Sequence, residues 1–302
     1  MPLLGFDELC RHADDRPPGL IVAVAGGADR TVLKALGAAR DRGWIRPLVV
    51  GVESEVRAVA DRFDIDLHLF LFLNSDDEVV ATAAVDAVKS GRASILMKGK
   101  VSSPTLMAAI ADPEFGIRSG RVVCQVVLME VVPHGRRFLM ADTGVCVQPK
   151  LATKVDIMRS AVELAHALGE PSPRVAVMAA TEVASAGMLD TMHAAELQRR
   201  NEGGEFPDCR VQGPLSFDLA YAADTADKKR VGGPVVGAAD VMLFPDLTSA
   251  NLTVKAIMYT ADCRFGGVLG GTTAPVVFMS RADSTETRLR SLAMALIRRS
   301  NR

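Results

Sequence analysis

The run Pro275-Val276-Val277-Phe278-Met279-Ser280-Arg281-Ala282-Asp283-Ser284 puts a hydroxyl and a guanidinium at the end of an apolar strand, just before a helix. Asp283-Ser284-Thr285-Glu286 fits the N-cap and N3 pattern of a capping box, and Leu289, Leu292, Ala293 and Leu296 follow at helical spacing. A strand tip that feeds a helix N-terminus presents unpaired N–H groups and the positive end of the helix dipole to an anion. An arginine adds a planar fork of donors suited to phosphate. The segment reads either as an oxyanion site or as an ordinary cap beside an exposed arginine.

Other stretches carry comparable chemistry. Lys98-Gly99-Lys100-Val101-Ser102-Ser103-Pro104 follows a buried strand and gathers two cations, two hydroxyls and a glycine that lets backbone approach a ligand. The spacing is not that of a Walker loop, so it reads as part of a phosphate or coenzyme A pocket at the carboxyl edge of a sheet, or as a solvated turn. Gly26-Gly27-Ala28-Asp29 lacks the third glycine of the dinucleotide fingerprint and reads as a tight turn. Asp142-Thr143-Gly144 is a turn with glycine expected in the left-handed position. Asp218 ends a rigid Gly213-Pro214 segment, as a pocket residue or a helix cap. Asp246 follows Pro245 at a strand end. Asn251 and Lys255 lie four apart and share one helix face.

The elements that must position these residues alternate. Strands are expected at 20–25, 47–52, 68–73 and 93–97, separated by helices at 30–42, 53–63 and 78–90, with Asp29 as a cap. This rhythm implies a parallel sheet covered on both faces. Residues 122–132 and 137–141 read as an antiparallel hairpin. Helices at 151–168 and 188–201, the latter broken by Gly203-Gly204, flank a strand at 174–179. The last clear strands are 241–244 and 276–279.

Composition limits the function. The chain has 302 residues and a formal net charge of −1, so no global field draws it to nucleic acid or a membrane. Aromatics are only 5%, too few for base-stacking platforms. The five cysteines form no C-x-x-C pair, and the five histidines share no spacing with a nucleophile, so neither a metal site nor a disulfide framework is expected. No basic-then-apolar leader opens the sequence, and a cytoplasmic location is expected.

Five stretches in order resemble the phosphate acetyltransferase/butyryltransferase family, and its butyryltransferase-like branch in length. They are Leu96 to Val101, Gly213 to Ala220, Ala239 to Leu247, Asn251 with Lys255, and Ser280 to Ser284. The resemblance implies two α/β/α domains with mainly parallel sheets and a cleft between them, on an isocitrate/isopropylmalate dehydrogenase-like scaffold. Residues 1–119 with 270–302 would form the first domain and 120–269 the second. It implies the reaction acyl-CoA + phosphate ⇌ acyl phosphate + CoA, with a short acyl group and direct attack in a ternary complex. Coenzyme A is then a substrate or product, and no cofactor or metal is needed. Ser280 and Arg281 would be catalytic. Lys98, Gly99, Lys100, Ser102, Asp142, Asp218, Asp246, Asn251 and Lys255 would bind substrate. The resemblance also implies a homodimer or higher homo-oligomer, and a mean hydropathy of +0.19 suits an apolar subunit interface.

The sequence departs from the family pattern at Gln212, Ala238 and Thr248, and at Thr287, where the acetyltransferase branch has an aspartate assigned as a base. Two alternatives follow: an enzyme on the same scaffold with a different acyl thioester, or a CoA-binding homologue that has lost turnover.

Overall fold

A computed structural model describes residues 2–300, with side chains through 298. In chain order the elements are α1 (Phe6–Asp14), β1 (Leu20–Ala25), α2 (Arg30–Asp41), β2 (Ile45–Gly51), α3 (Glu53–Arg62), β3 (Leu71–Asn74), α4 (Val80–Lys89), β4 (Ile95–Lys98) and α5 (Ser103–Ala111). There follow β5 (Cys124–Val131), β6 (Arg136–Ala141), α6 (Leu151–Ala167), β7 (Arg174–Met178), α7 (Leu189–Glu202), β8 (Arg210–Leu215), α8 (Phe217–Tyr221) and α9 (Asp224–Lys229). The chain closes with β9 (Val241–Leu243), α10 (Leu247–Thr260), β10 (Cys263–Gly270), β11 (Val276–Val277) and α11 (Thr285–Ser300).

The chain divides into two compact units. A flanking unit comprises Phe6–Val123 with Gly266–Arg302, and a middle unit comprises Met1–Gly5 with Cys124–Phe265. The first residues belong to the middle unit because Leu4 N–H donates to the Leu168 carbonyl and Arg137 Nη1 to the Leu3 carbonyl, both at 2.9 Å.

In the flanking unit the strands run in the order β3-β2-β1-β4-β11-β10. All neighbours are parallel except β10 and β11. Strand β1 (LIVAVA) and the Ile95-Leu96-Met97 run of β4 are apolar on both faces, as a strand covered on both sides must be. The register aligns Ala25 with Lys98 and Val277 with Met97, so the tips of β1, β4 and β11 emerge at one carboxyl edge. Helix α2 begins there, with Asp29 Oδ1 accepting the Thr31 and Val32 N–H groups at 2.8 and 3.0 Å.

In the middle unit the order is β5-β6-β9-β7-β8, with β5 and β6 an antiparallel hairpin and the other pairs parallel. Its core includes Met129, Phe138, Met140, Met242 and Leu219. Arg174 clamps the nearly buried Asp240 through Nε at 2.8 Å and Nη2 at 2.9 Å, tying the start of β7 to that of β9.

The strands and helices expected from periodicity are present with shifted ends. Elements that were not expected include α1, α5, α9, β8 and β10. Strand β10 (CRFGGVLG) carries three glycines and no alternation, and β8 contains Pro214. Both compositions argue against a strand when seen without neighbours.

Gly99 lies so close to the next loop that a Cβ there would collide with the Gly26 carbonyl. Gly99 N–H donates to Ala25 O at 3.0 Å and Lys100 N–H to Gly26 O at 2.5 Å. Overpacking a tight contact costs about 1–3 kcal/mol, so Gly99→Ala is expected to lower unfolding stability by roughly that amount in urea titration. An unchanged midpoint would show that the two loops are not held together.

Candidate functional site

In the flanking unit the carboxyl edge gathers Lys98, Ser280, Arg281, Asp283, Asp29 and Arg288. Asp283 Oδ2 accepts the Ser280 N–H at 2.6 Å, and Asp283 N–H returns to the Ser280 carbonyl at 3.2 Å, closing a tight turn. The turn leaves Ser280 and Arg281 exposed. Arg281 has no hydrogen-bond or ion-pair partner among the described residues. The expected capping box is displaced by one residue: the helix N–H at Thr287 is capped by Ser284 Oγ at 3.2 Å, which frees Asp283 to hold the turn. The Thr287 hydroxyl lies 3.2 Å from Ser284 Oγ, and this residue is buried, so it offers no base.

Lys98 is 1% exposed and has no hydrogen-bond acceptor among the described residues. Burial, together with the positive charges of Arg281 and Arg288, pushes its pKa down to about 8, against the opposing pull of Asp283 and Asp29. Burial also works against the Asp29 carboxylate, but hydrogen bonds from Thr31 and Val32 and the field of Arg288 outweigh it and lower its pKa.

The other expected residues of this unit are engaged elsewhere. Lys100 reaches Glu55 at 3.4 Å across the exposed surface. Ser102 caps α5, accepting the Thr105 N–H at 3.1 Å. Gly99 serves the loop contact described above.

In the middle unit Asp142, Asp218 and Asp246 follow the carboxyl ends of β6, β8 and β9. Asp142 is buried and its carboxylate accepts N–H groups from Gln125, Gly144, Val145 and Cys146 at 2.7–3.2 Å. Burial nevertheless raises its pKa. Gly144 is not in the left-handed region expected for it. It is required because a Cβ would strike the Gln125 side chain. Asp246 caps α10 through the Ser249 N–H at 2.8 Å. Asn251 Nδ2 donates to the Thr143 carbonyl at 3.2 Å, fastening the first half of α10 to the Asp142 turn. Lys255, half-buried, has no partner among the described residues.

Asp218 sits in a cluster that the sequence did not reveal. Lys229 Nζ lies 2.9 Å from Glu182 Oε1, 2.9 Å from Ser216 Oγ and 3.0 Å from Asp218 Oδ2, and Ser216 Oγ donates to Glu182 at 2.5 Å. The hydrogen bond from Ser216 and then Lys229 hold the Glu182 pKa below the usual range. Lys229 is the unforeseen member, since a Lys-Lys pair on a short helix looks like a solvated face. Arg288 was equally hidden, as a charge beside apolar positions of a helix. Its one signal was its position four residues beyond the cap. No group of His, Cys, Asp and Glu among the described residues could hold a metal ion.

An α/β fold with an exposed Ser-Arg turn and a buried lysine at its carboxyl edge suits a protein that handles anions. The family model for phosphate acetyl/butaryl transferase matches residues 71–296, and the chain belongs to this family of acyltransferases. It is 36% identical over 277 residues to phosphate butyryltransferase of Clostridium acetobutylicum, covering 91% of this chain and 92% of that one. It is 33% identical to phosphate acetyltransferase of Thermotoga maritima, covering 93% and 96% of the two chains. Among solved structures, a branched-chain phosphotransacylase from Enterococcus faecalis V583 superposes with a TM-score of 0.80 at 28% identity, covering 93% of this chain and 99% of that one.

The depressed Lys98 pKa fixes a sign. Below about pH 8 the lysine is charged in both folded and unfolded chains, and the fold bears the full cost of burying it. That cost shrinks as pH rises from the folded pKa towards the unfolded value and is gone above it. Lys98→Met is therefore expected to raise the melting temperature at pH 7 and to lose this advantage towards pH 11. A variant less stable at pH 7, or a gain independent of pH, would contradict the burial of an uncompensated ammonium.

Proposed function

We propose that the chain transfers a short acyl group, acetyl to butyryl, between coenzyme A and inorganic phosphate by direct attack in a ternary complex. The observation that carries this is the pair of cations, Arg281 and Lys98, with no acidic partner in direct contact, at the edge where Ser280 is exposed. A tetrahedral dianion supplies the missing negative charge. Arg281 binds it through two parallel donors. Lys98 adds a point charge close enough to feel Arg281. Phosphate oxygen then attacks the thioester carbonyl, and the C–S bond breaks as the C–O bond forms. The Ser280 hydroxyl donates to the carbonyl oxygen or to the departing sulfur, where charge develops. The proton lost by phosphate balances the one gained by the coenzyme A thiolate.

No covalent acyl-enzyme enters this scheme. Burial pushes the Cys209 thiol up to about 11, and burial also raises the pKa of Cys10. Burial, then the Asp142 charge, raises that of Cys146. These are poor thiolate sources. In the middle unit Asn251 and Lys255 are the candidates for contact with acyl-CoA. Asp142, Asp246 and Asp218 make bonds that account for them without a substrate. We assign the two units to the two domains of the dehydrogenase-like scaffold.

The test is purified protein with acetyl-CoA or butyryl-CoA, phosphate and a thiol reporter. Arg281→Ala is expected to reduce turnover at least about a hundredfold, the scale for losing one strong transition-state donor. Arg281→Lys should fail to restore it, because a point charge does not replace a fork. Wild-type turnover in Arg281→Ala at saturating phosphate, with the fold intact by circular dichroism, would refute the assignment.

The same reading includes self-association. Val183, Leu189 and Met192 are 71%, 64% and 44% exposed within ten residues of the middle unit, an apolar patch that a second copy would cover. Sedimentation equilibrium at micromolar concentration is expected to give a multiple of the 32.1 kDa chain mass. A single species at the chain mass would refute it.

A further inference from the structure

We propose that Arg288 is the positioning residue for Ser280 and Arg281, an inference that rests on the acyltransferase reading above. Arg288 is 2% exposed, on the first turn of α11, directly beneath the Ser280–Asp283 turn. Its Nη2 donates to the Ser280 carbonyl at 2.9 Å, and its Nε to Thr31 Oγ1 at 3.1 Å. Thr31 Oγ1 in turn donates to Asp29 Oδ1 at 2.6 Å, the same oxygen that caps α2. The peptide group joining Ser280 to Arg281 is thereby anchored, through one guanidinium, to the start of a different helix.

The opposite side of Ser280 is fixed as well, since its N–H is held by Asp283 at 2.6 Å. Both main-chain polar groups of Ser280 are therefore pinned, while its hydroxyl and the Arg281 guanidinium remain exposed. The backbone sets where those two groups project, and Arg288 together with Asp283 sets the backbone. The arrangement comes at a cost that packing alone would avoid. Burial lowers the Arg288 pKa against the fields of Asp29 and Asp283, and its Nη1 is buried with no hydrogen-bond partner. A well-packed apolar side chain would fill the same space without desolvating a charge. What an apolar residue could not do is bridge Thr31 to the Ser280 carbonyl. Lysine could not span both either, because it presents one compact charge where arginine presents separated donors.

Arg288→Met, Arg288→Lys, Thr31→Val and the Arg288→Met/Thr31→Val double variant test this by steady-state kinetics with the acyl-CoA that the wild type turns over best. Misplacing a reacting group by an ångström costs up to about a hundredfold in rate, so Arg288→Met is expected to lower kcat by about ten- to a hundredfold. The KM for acyl-CoA should stay within about twofold, because ground-state binding is not removed. Arg288→Lys should recover only a minor part. Thr31→Val should lower kcat on its own with the fold intact, and add little in the Arg288→Met background, since both cut one chain of contacts. Undiminished kcat in Arg288→Met, or a loss of kcat that is fully additive with Thr31→Val, overturns the proposal. Should Arg288→Met not fold, wild-type kcat in Thr31→Val overturns it alone. Absence of wild-type turnover with every acyl-CoA overturns the acyltransferase reading, and this inference with it, whereas normal wild-type turnover with unaffected variants overturns this inference only.

Discussion

A cation buried without a counter-ion in contact is among the least favourable arrangements a fold can hold, with an effective penalty of several kcal/mol per ion. The flanking unit holds two at one sheet edge, Lys98 and Arg288. Neither is paired directly with a carboxylate, although Asp29 and Asp283 stand close enough to be felt. Both acids are already committed to backbone N–H groups, one at the start of α2 and one in the Ser280 turn. The positive field that remains is thus a consequence of where the local hydrogen bonds go. It persists because parallel strands β1, β4 and β11 deliver their tips to one edge in register, and because Gly26 and Gly99 let two loops touch.

The middle unit handles charge in the opposite manner. Its carboxylates are matched: Asp142 by four N–H groups, Asp240 by Arg174, and Glu182 and Asp218 by Lys229. Lys98 and Arg288 of the flanking unit have no such direct ionic match among the described residues. Gln212, where the resemblance implies an acid, has a local role. The Gln212 amide donates to Gly232 O at 2.8 Å and accepts the Val235 N–H at 3.1 Å, so the side chain secures the segment after α9. A carboxylate could accept the second bond but could not donate the first.

The class of fold was legible because long apolar strands and amphipathic helices have distinct periods, and the motif order identified the family. Ser280 and Arg281 stood out because a strand, a turn and a cap met there within ten residues. The capping register did not, since Asp283 and Ser284 are equally good caps in a string of letters and only the turn decides between them. Strands β8 and β10 were invisible because glycine and proline lower local strand preference, and neighbouring strands supply what propensity withholds. Arg288 and Lys229 escaped for a different reason. A long charged side chain is solvated by default, and whether it is drawn into a fixed set of partners depends on contacts with residues 257 and 47 positions away, which no local pattern encodes.

Neither unit is a continuous stretch of chain. The flanking unit needs the segment after Gly266 to supply β11 and α11, and the middle unit needs Leu3 and Leu4, held by Arg137 and by Leu168 at the end of α6. During synthesis, the opening strands therefore leave the ribosome long before the segment that completes their sheet. Strand β4 emerges with the edge destined for β11 still bare, and a bare parallel edge of apolar residues is a template for pairing with other chains. This topology leaves that edge of β4 without its partner strand until the chain has been made as far as β11. It also makes the last tenth of the chain, where Ser280 and Arg281 lie, the part that turns a sticky intermediate into a finished one.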